Sequence, residues 1–171
     1  MVSLVIGGAA SGKSAFAEDL IFAAPSRPLV YAATMEPWGE EAQKRIARHR
    51  ALRAGKGFVT FEAPRAANLL EIPEGGAVLL ECLTTLTANE CFSVGFDGAE
   101  KRLLAGVEAL LRRCGDAVLV SGDLFADGYT YPPETERYLS VLAAVNGELA
   151  AQSDRVIEVC CSIPIFHKGE A

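Results

Sequence analysis

One segment of eight residues combines glycines, a lysine and a hydroxyl at the spacing G-x-x-x-x-G-K-[ST]: Gly7, Gly8, Ala9, Ala10, Ser11, Gly12, Lys13 and Ser14. An apolar run precedes it and a predicted helix follows it, which is the strand–loop–helix setting that this motif requires. Glycines let the backbone approach a phosphate closely, and the loop N–H groups attract anions. Lys13 is suited to the β- and γ-phosphates of a nucleoside triphosphate, and Ser14 to Mg²⁺. The segment therefore predicts a phosphate-binding loop.

A second cluster of chemically competent residues lies between Lys44 and Lys56, which holds six Lys or Arg residues and no acid although the chain has only 16 Lys and Arg in all. Arg45, His49 and Arg53 have the spacing that puts residues on one face of a helix. We expect the arginines to disfavour the protonated imidazole, and a neutral histidine can be a nucleophile beside a bound triphosphate. The pattern is also typical of a solvated helix face, and the spacing alone leaves both interpretations open.

Two acidic residues follow predicted strands. Glu81 ends an apolar run, where an acid in a phosphate-loop protein can hold the shell of Mg²⁺ or orient a nucleophile. The alternative is a carboxylate that caps a helix beginning near Thr84 or Thr85. Asp123 follows the next strand, and the same interpretation applies to it more weakly. Both positions therefore are candidates for the site.

Composition limits the classes of function. The 171 residues fit one domain, residues 1–171, and 50% of them are hydrophobic, enough for a full core. A net charge of −6 argues against nonspecific binding of nucleic acid. We see neither a signal peptide nor an apolar run of membrane-spanning length, so we expect a cytoplasmic protein. The five cysteines form no C-x-x-C pair, and we expect reduced thiols in the core.

The elements that must position these residues alternate along the chain. We predict strands at residues 2–6, 29–34, 58–62, 77–82, 117–121, 155–160 and 163–168, and helices at residues 15–21, 40–52, 63–70, 84–94, 98–114 and 134–153. Most of the strands are continuous apolar runs, typical of a parallel sheet buried on both faces. Ligands bind such sheets at the carboxyl ends of the strands, where Thr34, Glu81 and Asp123 are predicted.

Several segments, in order and spanning nearly the whole chain, resemble one known family. They are residues 7–14, Tyr31-Ala32-Ala33-Thr34, Arg45-Ile46-Ala47-Arg48-His49, and Leu79-Leu80-Glu81-Cys82-Leu83-Thr84-Thr85 with Asn89 after it. Val145-Asn146 with Ala150, and Ser153-Asp154-Arg155-Val156, are similar to it as well. The chain resembles the bifunctional adenosylcobinamide kinase / adenosylcobinamide-phosphate guanylyltransferases of cobalamin biosynthesis.

The resemblance implies a RecA-like P-loop NTPase fold, α/β with a mostly parallel sheet flanked by helices, and a homotrimer. It implies transfer of a γ-phosphate to adenosylcobinamide, then transfer of GMP from GTP through a guanylylated histidine, at the position of His49. Lys13 and Glu81 are the other expected catalytic residues, with Mg²⁺ on Ser14 and with Glu81 as a candidate either for the metal shell or for orienting the nucleophile. GTP or ATP supplies the phosphate. Beyond residues 7–14, the expected nucleotide contacts are Ala33, Thr34, Met35, Arg50, Ala51, Leu52, Arg53, Glu62 and Glu81.

The chain differs from the family pattern at several positions. The family usually has Arg at the position of Ala10, and Asn-Glu-Val-Gly where this chain has Gly122-Asp123-Leu124-Phe125. Leu139-Ser140 replaces an Arg-Asp pair, and Gly147 replaces Gln. Two alternatives therefore stay open: a kinase with a single activity on another small alcohol, and a nucleotide-binding relative without catalysis.

Overall fold

A computed structural model describes residues 1–36, 39–53, 55–125 and 128–170, apart from the side chains of residues 41, 42, 45, 48, 49, 52 and 53. The strands are β1 (Val2–Gly7), β2 (Leu29–Ala33), β3 (Phe58–Glu62), β4 (Ala77–Glu81), β5 (Asp116–Gly122), β6 (Arg155–Cys160) and β7 (Ile163–Lys168). The helices are α1 (Lys13–Ala23), α2 (Gly39–Arg53), α3 (Leu83–Asn89), α4 (Ala99–Leu111) and α5 (Pro133–Gln152). The predicted alternation of strands and helices is confirmed.

All seven strands form one sheet in the order β3-β2-β4-β5-β1-β6-β7. Every pair is parallel except β6 with β7, which is antiparallel. The register aligns Gly7 with Gly122 and Ala33 with both Glu62 and Glu81. The carboxyl ends of β1 to β5 therefore meet at one edge, as the sequence predicts for a ligand-binding sheet.

Apolar side chains cover both faces of the central strands because successive residues of a strand point to opposite faces. Leu4, Leu80 and Leu119 pack on one face in a cluster with residues of α3, α4 and α5. Val5 and Leu79 pack on the other face with α1. This burial explains the continuous apolar runs in the sequence. No helix in the described ranges is both long enough and apolar enough to cross a lipid bilayer.

The structure corrects two local predictions. The short helix expected at residues 63–70 is a 3₁₀ helix at Ala66–Glu71, and the one expected at residues 84–94 is α3 followed by a π-helical turn at Glu90–Val94. Neither Thr84 nor Thr85 caps α3, whose N-cap is Cys82. Thr84 Oγ1 instead accepts a hydrogen bond of 2.6 Å from the Gly122 amide. Its hydroxyl therefore joins α3 to the end of β5.

The prediction of core thiols holds for only part of the cysteines. Cys91 is buried, Cys82 and Cys114 are half-buried, and Cys160 and Cys161 are exposed, so the prediction is wrong for the last two. Cys160 is the last residue of β6, and Cys161 lies in the turn that leads into β7. Burial raises the pKa of the Cys91 and Cys114 thiols, which favours their neutral, unreactive form. All five are free, and the described residues contain no cluster of three His, Cys, Asp or Glu side chains arranged for a metal.

Two helical glycines give matched predictions of opposite sign for stability. A Cβ on Gly106 of α4 would lie 2.7 Å from the Ala66 carbonyl oxygen, whereas a Cβ on Gly147 of α5 would meet nothing within 4 Å. We expect Gly106→Ala to destabilise the protein by about 1–3 kcal/mol through overpacking. We expect Gly147→Ala to stabilise it by about 1 kcal/mol, because alanine favours the helix more than glycine does.

Thermal unfolding of both variants tests these predictions. Each kcal/mol corresponds to a shift in Tm of about 2–4 °C for a chain of this length. Equal shifts of Tm for the two variants would contradict the close contact between α4 and the 3₁₀ helix.

Candidate functional site

The phosphate loop joins the carboxyl end of β1 to the first turn of α1. Gly12 precedes α1 with φ 93°, a left-handed conformation that favours glycine. A Cβ on Gly7 would lie 2.6 Å from both the Ser11 Oγ and the Val159 carbonyl oxygen, so only glycine fits there. The Gly7 carbonyl accepts a 3.0 Å hydrogen bond from the Asp123 amide, which fixes the loop to the end of β5. Both glycines of the motif are therefore required by the backbone geometry.

Lys13 is folded back over the loop that precedes it. Its Nζ donates a 2.9 Å hydrogen bond to the Gly8 carbonyl oxygen. A phosphate oxygen is a stronger acceptor for an ammonium group than a neutral carbonyl, because the two opposite charges attract each other. Ser11 Oγ is buried and lacks a hydrogen-bond partner in the described part of the chain. The loop thus presents donors for an anion.

Glu81 at the end of β4 is held by two hydroxyl groups. Ser14 Oγ donates to Glu81 Oε1 at 2.5 Å, and the Tyr31 hydroxyl donates to Glu81 Oε2 at 2.8 Å. These contacts run to α1 and β2, so the carboxylate faces the phosphate loop and does not cap α3. Mg²⁺ prefers oxygen ligands and takes one or two protein ligands besides phosphate and water. The adjacent Ser14 and Glu81 oxygens therefore fit Mg²⁺.

Thr34 follows β2 and is completely buried. Its Oγ1 accepts a 2.7 Å hydrogen bond from the Cys82 amide and donates one of 3.0 Å to the Cys82 carbonyl. Asn89 of α3 donates to the Thr34 carbonyl at 2.8 Å. The Thr34 side chain therefore holds the ends of β2 and β4 in position around Glu81.

These residues surround a cavity of about 650 Å³ at the carboxyl edge of the sheet. The predicted site residues that line it are Gly7, Ala9, Ala10, Lys13, Ser14, Ala33, Thr34, Met35, Glu62 and Glu81. Residues outside the predicted nucleotide contacts line it too, among them Tyr31, Ile46, Cys82, Thr84, Thr85, Asp123 and Leu124. Two features of the sequence mark Tyr31, its place in the segment Tyr31-Ala32-Ala33-Thr34 that resembles the family and its polar-tipped aromatic ring in an otherwise apolar strand.

Residues 44–53 of the basic segment belong to α2. The described residues of the segment lie in different surroundings. Ile46 lines the cavity, while Ala51 is exposed and Arg50 donates a 2.5 Å hydrogen bond to the Glu62 carboxylate. Lys56, beyond the helix, is paired with Glu18 of α1. Acidic residues thus balance part of the positive charge. The side chains of Arg45, Arg48, His49, Leu52 and Arg53 lie outside the described residues.

The departures from the family pattern fall in two places. Ala10, Gly122, Asp123 and Leu124 line the cavity. Leu139 packs instead in a cluster with Tyr138 and Leu142, and Ser140 and Gly147 are exposed. The differences at Ala10 and at the end of β5 therefore change the lining of the cavity. The residues that differ in α5 are not among those that line it.

Two further polar residues have structural contacts. Asn146 of α5 is buried, and its Oδ1 accepts a 2.8 Å hydrogen bond from the Ser121 hydroxyl of β5. His167 is half-exposed on β7, 2.9 Å from Glu158 Oε2. His167 thus lies on the edge strand, away from the cavity-lining residues.

Solved structures share the fold. Flagellar accessory protein FlaH from Methanocaldococcus jannaschii has a TM-score of 0.51 and 11% identity, over 99% of this chain and 78% of that one. The Pyrococcus horikoshii OT3 protein of Project ID PH0250 has a TM-score of 0.52 and 10% identity, over 99% and 87%. At such low identity the likeness concerns the fold alone. It confirms the predicted α/β fold with a mostly parallel sheet flanked by helices.

Curated relatives match at higher identity and nearly full length. The bifunctional adenosylcobalamin biosynthesis protein CobU of Salmonella typhimurium is 30% identical, covering 96% of this chain and 98% of that protein. The bifunctional adenosylcobalamin biosynthesis protein CobP of Pseudomonas aeruginosa is 32% identical, covering 99% of each. The family model described as "Cobinamide kinase / cobinamide phosphate guanyltransferase" matches residues 3–166. The chain belongs to this family of cobinamide kinases and cobinamide phosphate guanyltransferases.

Proposed function

We propose that this protein phosphorylates adenosylcobinamide and then transfers GMP from GTP onto the product through a guanylylated His49. The observation that carries the proposal is the contact of Ser14 and Tyr31 with Glu81 beside Lys13, within one cavity that α2 also lines. A phosphate loop and a histidine-bearing helix at one cavity suit two successive reactions on phosphorus.

In the phosphorylation step, the loop amides and Lys13 bind the triphosphate and neutralise charge on the transferred γ-phosphate. Ser14 and Glu81 would hold Mg²⁺, which neutralises charge on the phosphates when it is bound. The Tyr31 hydroxyl keeps one Glu81 oxygen in place while the other meets Ser14. The oxygen of the cobinamide hydroxyl attacks the γ-phosphorus, the nucleoside diphosphate leaves, and the hydroxyl proton is released. ATP and GTP both suit this step.

In the second step, a ring nitrogen of His49 attacks the α-phosphorus of GTP and pyrophosphate leaves. A phosphate oxygen of cobinamide phosphate then attacks the same phosphorus, and the histidine leaves as a neutral imidazole. His49 follows Ile46 by three positions, a spacing at which residues of a helix share a face. Because Ile46 lines the cavity, this spacing supports the proposed role. Arginines of α2 would stabilise the charge on the attacked phosphate.

The nucleotide contacts are proposed on the same basis. Ala33, Thr34 and Met35 at the end of β2, and Glu62 at the end of β3, line the cavity. Arg50 donates a hydrogen bond to Glu62 and so lies next to these residues. We assign Arg50, Ala51, Leu52, Arg53 and Glu62 to nucleotide binding together with the phosphate loop.

One observation favours a second candidate, a kinase with a single activity on another alcohol. Asp123 and Leu124 line the cavity in the segment that differs from the family pattern. These two side chains would then select an alcohol other than cobinamide as the acceptor of the phosphate. Turnover with adenosylcobinamide, measured by chromatography of the corrinoid products, separates the candidates. Formation of both the phosphate and the GDP derivative supports our proposal. No phosphorylation of adenosylcobinamide, together with phosphorylation of another small alcohol, supports the second candidate.

We further propose that residues 1–171 act as one domain and that the protein is a cytoplasmic homotrimer. The family resemblance supports the trimer. Light scattering on the purified protein tests it, since a monomeric mass would contradict it.

Glu81→Gln is expected to reduce phosphorylation by about a hundredfold, because it removes the negative charge that would help to hold Mg²⁺ while keeping the shape of the side chain. Tyr31→Phe is expected to lose about tenfold, the usual cost of removing a group that orients a metal ligand. The Mg²⁺ concentration needed for half-maximal rate should rise in both. An unchanged Mg²⁺ requirement in Glu81→Gln would contradict the assignment of Glu81.

A further inference from the structure

The turn between β6 and β7 has an unusual composition. Cys160 pairs with Ile163 across the two strands, so Cys161 and Ser162 form a two-residue hairpin turn. Both residues have positive φ, 50° and 64°. Asn-Gly is the sequence that usually occupies such a turn, because glycine and asparagine tolerate positive φ. Cys161 and Ser162 therefore occupy positions that turn geometry alone does not favour, and Cys160 directly precedes them at the end of β6.

This turn is in direct contact with the phosphate loop. The Ser162 amide donates a 2.8 Å hydrogen bond to the Ser11 carbonyl oxygen. A Cβ on Gly12 would lie 2.6 Å from Ser162 Oγ, so the two segments are closely packed. The conformation of the turn therefore influences the backbone that Lys13 and Ser14 need for phosphate binding.

The two thiols are accessible and interact with each other. Cys160 and Cys161 are both exposed and free. The neighbouring Cys161 thiol is the main cause that raises the pKa of the Cys160 thiol, which lowers its thiolate fraction at neutral pH and slows exchange there. Exposed neighbouring thiols of this kind exchange with disulfides in solution, faster as rising pH increases the thiolate fraction.

We propose that Cys160 and Cys161 are a thiol–disulfide exchange site for small-molecule disulfides, and that closing the vicinal disulfide weakens phosphate binding at the neighbouring loop. One cysteine thiolate attacks the reagent disulfide and releases one thiolate, which leaves a mixed disulfide on the protein. The second cysteine loses its proton and attacks the mixed-disulfide sulfur on the protein, which forms the Cys160–Cys161 bond and releases the second thiolate. The protein loses two electrons and two protons, and the reagent is reduced to two thiols.

Geometry explains why this bond would act on the loop. Consecutive Cα atoms lie about 3.8 Å apart across a trans peptide, whereas ordinary disulfides join Cα atoms about 4.4–6.8 Å apart. Closing the bond must therefore change the backbone of the turn, and strain of this kind makes a disulfide easier to reduce. Since the Ser162 amide follows directly, the change loosens its hydrogen bond to Ser11. The effect on nucleotide rests on the proposed function of the phosphate loop.

The experiment treats the whole protein with glutathione disulfide and then with dithiothreitol. Peptide mass mapping is expected to show a Cys160–Cys161 disulfide that reduction removes. Hydrogen exchange of residues 7–14 should accelerate in the oxidised protein. Binding of a non-hydrolysable GTP analogue should weaken about tenfold, an effect of the size of one hydrogen bond, and recover on reduction. Cys161→Ser should abolish these responses, while Cys114→Ser, at a half-buried thiol after α4, should keep them.

Three outcomes would overturn the proposal. They are stable glutathione adducts without the vicinal bond, oxidation with no change in hydrogen exchange of the loop, and an equal response in Cys161→Ser. Failure of the reduced protein to bind the GTP analogue would instead contradict the proposed function. Mass mapping and hydrogen exchange require no nucleotide, so they judge the thiol site in that case too.

Discussion

Lys13→Ala is expected to reduce phosphorylation of cobinamide by about a hundredfold to a thousandfold, the loss seen when one preorganised charge-stabilising donor is removed. In the structure, the Lys13 ammonium lies over the loop and, among the described residues, donates only to the neutral Gly8 carbonyl. It can therefore transfer to a phosphate oxygen without breaking an ion pair in the described chain. Alanine keeps α1 intact but leaves the γ-phosphate charge unneutralised. Steady-state rates with ATP and with GTP measure the effect.

Lys101→Ala is the matched control, because Lys101 is an exposed lysine of α4 that does not line the cavity of the phosphate loop. It should keep the original rate. Equal thermal unfolding temperatures for Lys13→Ala and the original protein would show that the fold is retained. A Lys13→Ala variant that phosphorylates cobinamide at the original rate would contradict the assignment of the phosphate loop.

His49→Ala is expected to abolish GMP transfer while phosphorylation continues. The proposed mechanism forms a covalent bond from the imidazole to the α-phosphorus, and alanine has no nucleophile to replace it. Phosphorylation uses Lys13, Ser14 and Glu81 and requires no covalent histidine. Separate assays for cobinamide phosphate and GDP-cobinamide should therefore show a loss in the second product alone, of at least about a thousandfold.

The second histidine of the chain supplies the control. His167 lies on β7, half-exposed and 2.9 Å from Glu158, so His167→Ala removes an imidazole without touching the cavity. It should leave both activities unchanged. GDP-cobinamide formed by His49→Ala at the original rate would exclude a covalent histidine mechanism, and a parallel loss of both products would indicate a structural role for His49.

Much of the fold could be predicted because its signals are local. The continuous apolar runs of β1, β4 and β5 reflect burial on both faces of the sheet, and Gly7 and Gly12 reflect a backbone that no side chain fits. The parallel arrangement then brings Glu81 beside Ser14, although they are 67 residues apart. Motif and topology together were sufficient for this part of the site.

Contacts between distant segments could not be predicted from local pattern. Nothing in the apolar run of β2 indicates that the Tyr31 hydroxyl holds Glu81. The sequence predicts Thr84 as a helix cap, but its hydroxyl accepts a hydrogen bond from the Gly122 amide, because β5 ends beside α3. The apolar sequence around Cys160 and Cys161 suggested burial, yet the hairpin turn exposes both of them. Such pairings depend on three-dimensional neighbours that spacing along one strand or helix does not encode.

Labelling with GTP that carries the isotope on its α-phosphate is the decisive measurement. The purified protein is incubated with this GTP and Mg²⁺, denatured, and mapped by mass spectrometry. We expect a GMP adduct on His49 that is labile in acid and stable in base, as a phosphoramidate is, and that is absent from His49→Ala but present in His167→Ala. A protein that binds GTP but forms no adduct, or forms it on another residue, would contradict the guanylylated-histidine mechanism.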